Sequence, residues 1–139
     1  MDCNKEEASR AKTLAEEKMQ KRDFVAAQKL LMKAQSLFSG LESLPQMLAV
    51  CDVHSAAEKK INGLENWYGI LQVMHFDDDA TIKKQVRKLA LLLHPDKNQF
   101  PGAEAAFKLV WEASVLLADK EKRSSYDISA ESTHGLLAC

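Results

Sequence analysis

The chain has 139 residues, of which 46% are hydrophobic, 28% charged and only 6% aromatic, and its net charge is −1. That is material for one modest core or two very small ones, and no window approaches 18 uninterrupted apolar residues, so no bilayer span is expected. A net charge this close to zero also argues against a polyanion binder by composition, and leaves only local charge to be read. Five Gly and three Pro punctuate the chain, nothing alternates apolar and polar over a strand length, and the helical period recurs throughout. The expected fold class is therefore all-α.

The stretch from Met1 to Ala8 has neither a basic segment nor an apolar one, so secretion is not expected. Cys3, Cys51 and Cys139 are odd in number and far apart, with no C-x-x-C pair. They read as reduced thiols of a cytoplasmic or nuclear protein, not as a disulfide framework or a zinc site. Cys139 ends the chain and so cannot be the cysteine of a prenylation box.

The first helical run, roughly 5 to 20, places Ala8, Ala11, Ala15 and Met19 at 3-4-4 spacing. Asp23 suits the N-cap of a second helix, whose stripe is Phe24, Ala27, Leu31, Ala34 and Phe38, with Gly40 as its stop. A third, less regular helix is expected from near Pro45 to about Lys60. The small residues Ala15, Ala27 and Ala34 let the first two helices approach closely as an αα-hairpin. The segment from Asp23 to Ala34 resembles one tetratricopeptide unit; the plainer reading is a helical hairpin packed on its neighbour, because such repeats normally need several copies. A client protein or a helical partner is the occupant this module would take. Asn62-Gly63 breaks regular structure and marks a hinge between a first module, 1–61, and a second, 64–127. The tail 128–139, rich in small and polar residues, is expected to be disordered. Its abrupt form fits a fragment or a short protein.

The second module opens with an aromatic start, Trp67-Tyr68, and the apolar residues Ile70, Leu71 and Val73. Asp77-Asp78-Asp79 follows. It lacks the alternation and distal Glu of a calcium loop, and Asp78 is the N-cap of the next helix. On that helix Ile82, Val86, Leu89 and Leu93 share one face, while Lys83, Lys84, Arg87 and Lys88 fan over the opposite side, centred near Leu91. His94-Pro95-Asp96 ends it, since Pro95 disfavours helical geometry at His94. A helix stop gives no reason for Asp96, an anion just past a negative helix end, and a carboxylate there is better placed for a charge-assisted bond to a partner. A further helix from Ala103 to Leu117 is expected to turn Phe107, Val110, Trp111 and Leu117 toward the helix that carries Ile82 to Leu93. Lys120 to Asp127 closes the module.

With its flanks, the His94-Pro95-Asp96 segment resembles the J domain of DnaJ-type co-chaperones, and residues 67–127 follow that pattern without gaps in the helices. The resemblance implies a four-helix domain built on an antiparallel helical hairpin, with a short last helix at Lys120 to Asp127. It also implies a DnaK-type heat-shock chaperone as partner and stimulation of that partner's ATP hydrolysis. His94, Pro95 and Asp96 take the triggering role, and Lys83, Lys84, Arg87 and Lys88 the docking face. A helical segment ahead of the domain is similar to that of some plant J proteins. No Gly/Phe-rich linker and no cysteine-rich zinc module is present, so the chain resembles the J-domain-only class. Four positions depart from the pattern: Leu92-Leu93 stands where Lys-Tyr is common, and Val86 and Ser114 stand where tyrosines are common. Leu92, Leu93 and Val86 keep open a J-like interaction module that folds but does not stimulate. A nucleic-acid binder is disfavoured, because no aromatics interleave the basic run and the acidic triplet adjoins it. His54, His75, His94 and His134 have no ligand spacing, and no phosphate loop or nucleophile motif occurs, so neither cofactor, metal nor enzymatic activity is expected.

Overall fold

Apolar periodicity becomes seven helices in the computed structural model, which describes the backbone of residues 2–138 and the side chains of residues 3–130. In chain order these are α1 (Asp2–Gln20), α2 (Phe24–Leu37), α3 (Leu44–Glu58), α4 (Trp67–Leu71), α5 (Asp79–Leu93), α6 (Ala103–Ala118) and α7 (Lys120–Ala138). Among the described residues no strand forms. The fold is all-helical.

Local chemistry sets the helix starts. The carboxylate of Asp23 accepts from the Ala26 N–H at 3.2 Å, and that of Asp78 from the Thr81 N–H at 2.8 Å. The amide oxygen of Asn66 does the same for Gly69 at 3.2 Å. Each satisfies one of the N–H groups that a helix leaves unpaired at its start. The bonds from Thr81 hold the Asp78 carboxyl below the ordinary carboxylate range. α2 ends at Leu37, three residues before Gly40, and Phe38 lies partly exposed in extended backbone instead of completing the stripe.

α1 and α2 pack as a close hairpin through Ala8, Ala11, Ala15, Ala27 and Ala34, all buried, with Met19 and Leu31 filling the ends. α3 is buried almost all round: Leu44, Met47, Ala49, Val50, Cys51, Val53, His54 and Ser55 are covered. Its irregular pattern has a physical cause, because it faces the α1–α2 hairpin on one side and α4, α5 and α6 on the other. The buried residues of both halves form a single hydrophobic cluster. Asn62 and Gly63, both at positive φ, make a two-residue turn closed by paired bonds between Ile61 and Leu64. A closed turn, not a hinge, therefore stands at the boundary expected from sequence.

α5 and α6 run as the principal pair of the second half. Ile82, Leu89 and Leu93 are buried on α5, and Val86 is half-buried. On α6 the inward positions are Ala103, Ala106, Val110, Ala113 and Leu117, with Phe107 half-buried beside them. Trp111, expected in this core, is 61% exposed. It lies one residue, or 100°, past Val110, and the alanines take the inward places that sequence reading gave to aromatic bulk.

α7 also departs from expectation. It runs through Ala138, across most of the tail expected to be disordered, because no proline follows Asp127 to stop it. Cys139 lies outside the described residues. At the start of α7, Arg123 clips three segments together. Its guanidinium donates to the carbonyls of His75 and Asp77, pairs with Asp79 at 3.3 Å, and donates to the Tyr68 hydroxyl at 3.0 Å. The Tyr68 hydroxyl in turn donates to Asp127 at 2.6 Å.

Burial, and then the Asp127 carboxylate, push the Tyr68 phenol up to about 12 from its ordinary 10. A raised folded value means the unfolded chain loses its proton first, so this contribution is intact below pH 10 and is lost between pH 10 and about 12. Denaturant midpoints measured across that window should fall more steeply for the wild type than for Tyr68→Phe. Equal slopes would show that Tyr68 ionises as freely in the folded chain as in the unfolded one.

Candidate functional site

The site is the loop between α5 and α6 together with the exposed face of α5. His94 is the C-cap of α5, with φ −56° and ψ 130°, the extended geometry that a following proline requires. Its carbonyl accepts from the N–H groups of Lys97 at 2.9 Å and Asn98 at 2.8 Å, so the chain folds back on itself directly after the triplet. The Asp96 N–H donates to His94 Nδ1 at 3.1 Å, which places the ring proton on Nε2. The imidazole leans edge-on over Phe107 of α6, with ring centres 6.1 Å apart.

The Asp96 carboxylate is 87% exposed, and among the described residues its one ion-pair contact is His94 Nδ1 at 3.8 Å. That distance is within ion-pair range, yet Nδ1 is already the acceptor for a backbone N–H, so the contact is not a salt bridge with a charged ring. Asp96 is thus an anion offered to solvent. Lys83, Lys84, Arg87 and Lys88 are all exposed along α5, and among the described residues none has an ion-pair partner. The structure therefore joins the two groups singled out in the sequence: a free cationic helix face leads to an exposed His-Pro-Asp loop. Val86 and Ser114 line a groove between α5 and α6, edged by Lys83 and Arg87.

Two residues that hold this loop escaped sequence reading. Asn98, only 2% exposed, donates through Nδ2 to the Leu92 carbonyl at 2.9 Å and to the Gln46 carbonyl of α3 at 3.1 Å, while its Oδ1 accepts from the Phe100 N–H. It thereby satisfies a carbonyl left over at the end of α5. His54 of α3 stacks on Phe24, with centroids 4.0 Å apart and planes 10° off parallel, and its Nε2 meets the Gly102 carbonyl at 2.9 Å. A carbonyl can only accept, so Nε2 is the donor.

The acidic triplet is consumed structurally. Asp77 accepts from the Met74 N–H, Asp78 caps α5, and Asp79 pairs with Arg123. No group of side chains suited to a metal ion occurs among the described residues, and no helix there is long and apolar enough to cross a membrane.

Comparison with known proteins falls on the same region. Residues 66–127 match the DnaJ domain family. Mouse DnaJ homolog subfamily B member 12 is 46% identical over 72 residues, covering 52% of this chain and 19% of that protein. Human DnaJ homolog subfamily B member 14 is 46% identical over 69 residues, 50% of this chain and 18% of that protein. Bovine DnaJ homolog subfamily C member 18 is 45% identical over 69 residues, 50% and 19%. The chain spans about a fifth of the length of these relatives. No solved structure matches. Over residues 66–127 the chain is similar to the DnaJ domain.

Proposed function

We propose that the chain is a co-chaperone that binds a DnaK-type heat-shock chaperone and stimulates its ATP hydrolysis through His94, Pro95 and Asp96. The observation that carries this reading is the exposed Asp96 at the end of a helix whose four cations have no ion-pair partner among the described residues. Such a face orients an acidic partner and speeds its approach, and the loop then presents one carboxylate to a cation or polar group of that partner. The triplet contributes no catalytic group; hydrolysis belongs to the partner.

The residues ahead of the DnaJ domain form a tetratricopeptide-like module, 1–61, with exposed Leu14, Val25 and Met32 as apolar surface for a client or a helical partner. Free Cys3 and the buried thiol of Cys51 are in keeping with a cytoplasmic or nuclear setting.

A second reading, docking without stimulation, rests on the groove at Val86 and Ser114, where a partner shaped for two tyrosines would find empty space. Single-turnover ATP hydrolysis by a DnaK-type chaperone, with and without this chain, separates the two. A rate that rises severalfold and saturates with the chain supports the co-chaperone. Binding with an unchanged rate supports the second reading.

A further inference from the structure

We infer that the N-terminal helices hold the His94–Pro95–Asp96 loop in its working shape, with His54 as the positioning residue that reaches across to it. This rests on the function proposed above and assigns part of it to a segment outside the DnaJ domain. The loop from His94 to Gly102 contains two prolines, one glycine and no regular structure, and its front, from His94 to Lys97, is exposed. Such a segment ordinarily samples many shapes. Here its back is fixed at two points, and both fixings come from the first 61 residues.

The first is Asn98, whose side chain bridges the last turn of α5 to the Gln46 carbonyl in the first turn of α3. The second is Gly102, where the loop enters α6. Its carbonyl accepts from His54, and its φ of +87° is a conformation that only glycine adopts without strain. The space beside it is closed as well: a Cβ there would lie 2.7 Å from the Phe24 ring and 3.0 Å from His54 Nε2. Phe24, 4% exposed, backs the imidazole and leaves it little freedom to swing away. Burial keeps His54 below its usual pKa, so the donor is the neutral ring. Between the two fixings lie Gln99, Phe100 and Pro101; just before the first lie the triplet and Lys97. A partner that must meet His94 and Asp96 in one geometry loses less entropy when that geometry is already set.

The consequence is a division of labour. The cations of α5 govern how strongly the partner is held, and the grip of α2 and α3 governs how well the held complex responds. The test uses the full chain and two variants. His54→Phe keeps a ring to stack on Phe24 but removes the donor, whereas His54→Gln keeps an N–H donor and gives up the stack. Amide hydrogen exchange at Lys97 and Asn98, whose N–H groups close onto the His94 carbonyl, reports loop shape without any partner.

In His54→Phe these amides should exchange about tenfold faster, the factor expected for losing one buried hydrogen bond. Maximal stimulation of ATP turnover should drop, while the half-saturating concentration stays near the wild-type value. His54→Gln should recover most of both. Wild-type exchange and wild-type maximal stimulation in His54→Phe would overturn the inference. So would a change confined to the half-saturating concentration. Should His54→Phe lose its helical circular dichroism, Phe24→Leu carries the same comparison, because it withdraws the ring behind His54 and leaves residues 66–127 untouched. A wild-type chain that does not stimulate at all defeats the proposed function, and exchange at Lys97 and Asn98 then decides positioning by itself.

Discussion

Asp96→Asn is expected to abolish stimulation of a DnaK-type chaperone while leaving the fold, and much of the binding, in place. The reason lies in how little the fold uses this side chain. It is 87% exposed, and among the described residues it has an ion-pair contact only with His94, at 3.8 Å, so converting the carboxylate to an amide removes charge from the surface and nothing from the core. Its partner would lose a charge-assisted bond, which is roughly twice as strong as a neutral one. Lys88→Glu should act differently. It reverses one charge on the approach face and should lower the association rate severalfold, an effect that shrinks as salt screens charges beyond about 8 Å. Chaperone ATP turnover at low and high salt, for wild type and both variants, distinguishes these contributions. Stimulation that ignores salt and survives both substitutions would refute docking through α5 and the loop.

Leu89→Ala has the largest expected effect on stability. Leu89 is 2% exposed on α5, a helix packed against both α6 and α3, and its truncation should cost about 2–5 kcal/mol, the transfer loss plus that of a cavity that cannot fully collapse. For a chain of this size that lowers the melting midpoint by roughly 7–17 °C. His94→Gln loses a ring edge against Phe107 and an acceptor for one exposed N–H, and should cost less than about 1 kcal/mol. Thermal melts followed by helical circular dichroism should therefore separate the two widely. If His94→Gln melts as low as Leu89→Ala, the triplet holds up the core and the functional assignment of His94 fails.

These two variants also show where the sequence was legible. Leu89 belongs to a stripe, Ile82 to Leu93, whose 3-4 spacing is visible along the helix, and Asp78 and Asp23 announce their caps at fixed offsets. His94-Pro95-Asp96 could be read because a proline constrains its neighbours locally. Trp111 was misplaced because size was taken for inwardness, when its phase on α6 points it outward. Asn98 and His54 were not legible at all. Their partners lie 52 and 48 residues away, and an asparagine in a polar loop or a histidine on an irregular helix carries no local sign of such a bond. Only the fold brings them together.

The contact at Gly102 restricts how the two halves of this chain can change over generations. Any side chain there would strike Phe24 and His54. Substitutions at residues 24, 54 and 102 are therefore expected to be inherited as compatible sets. A DnaJ domain transplanted from a relative onto these N-terminal helices would fit only if its own loop arrived with a glycine at this point.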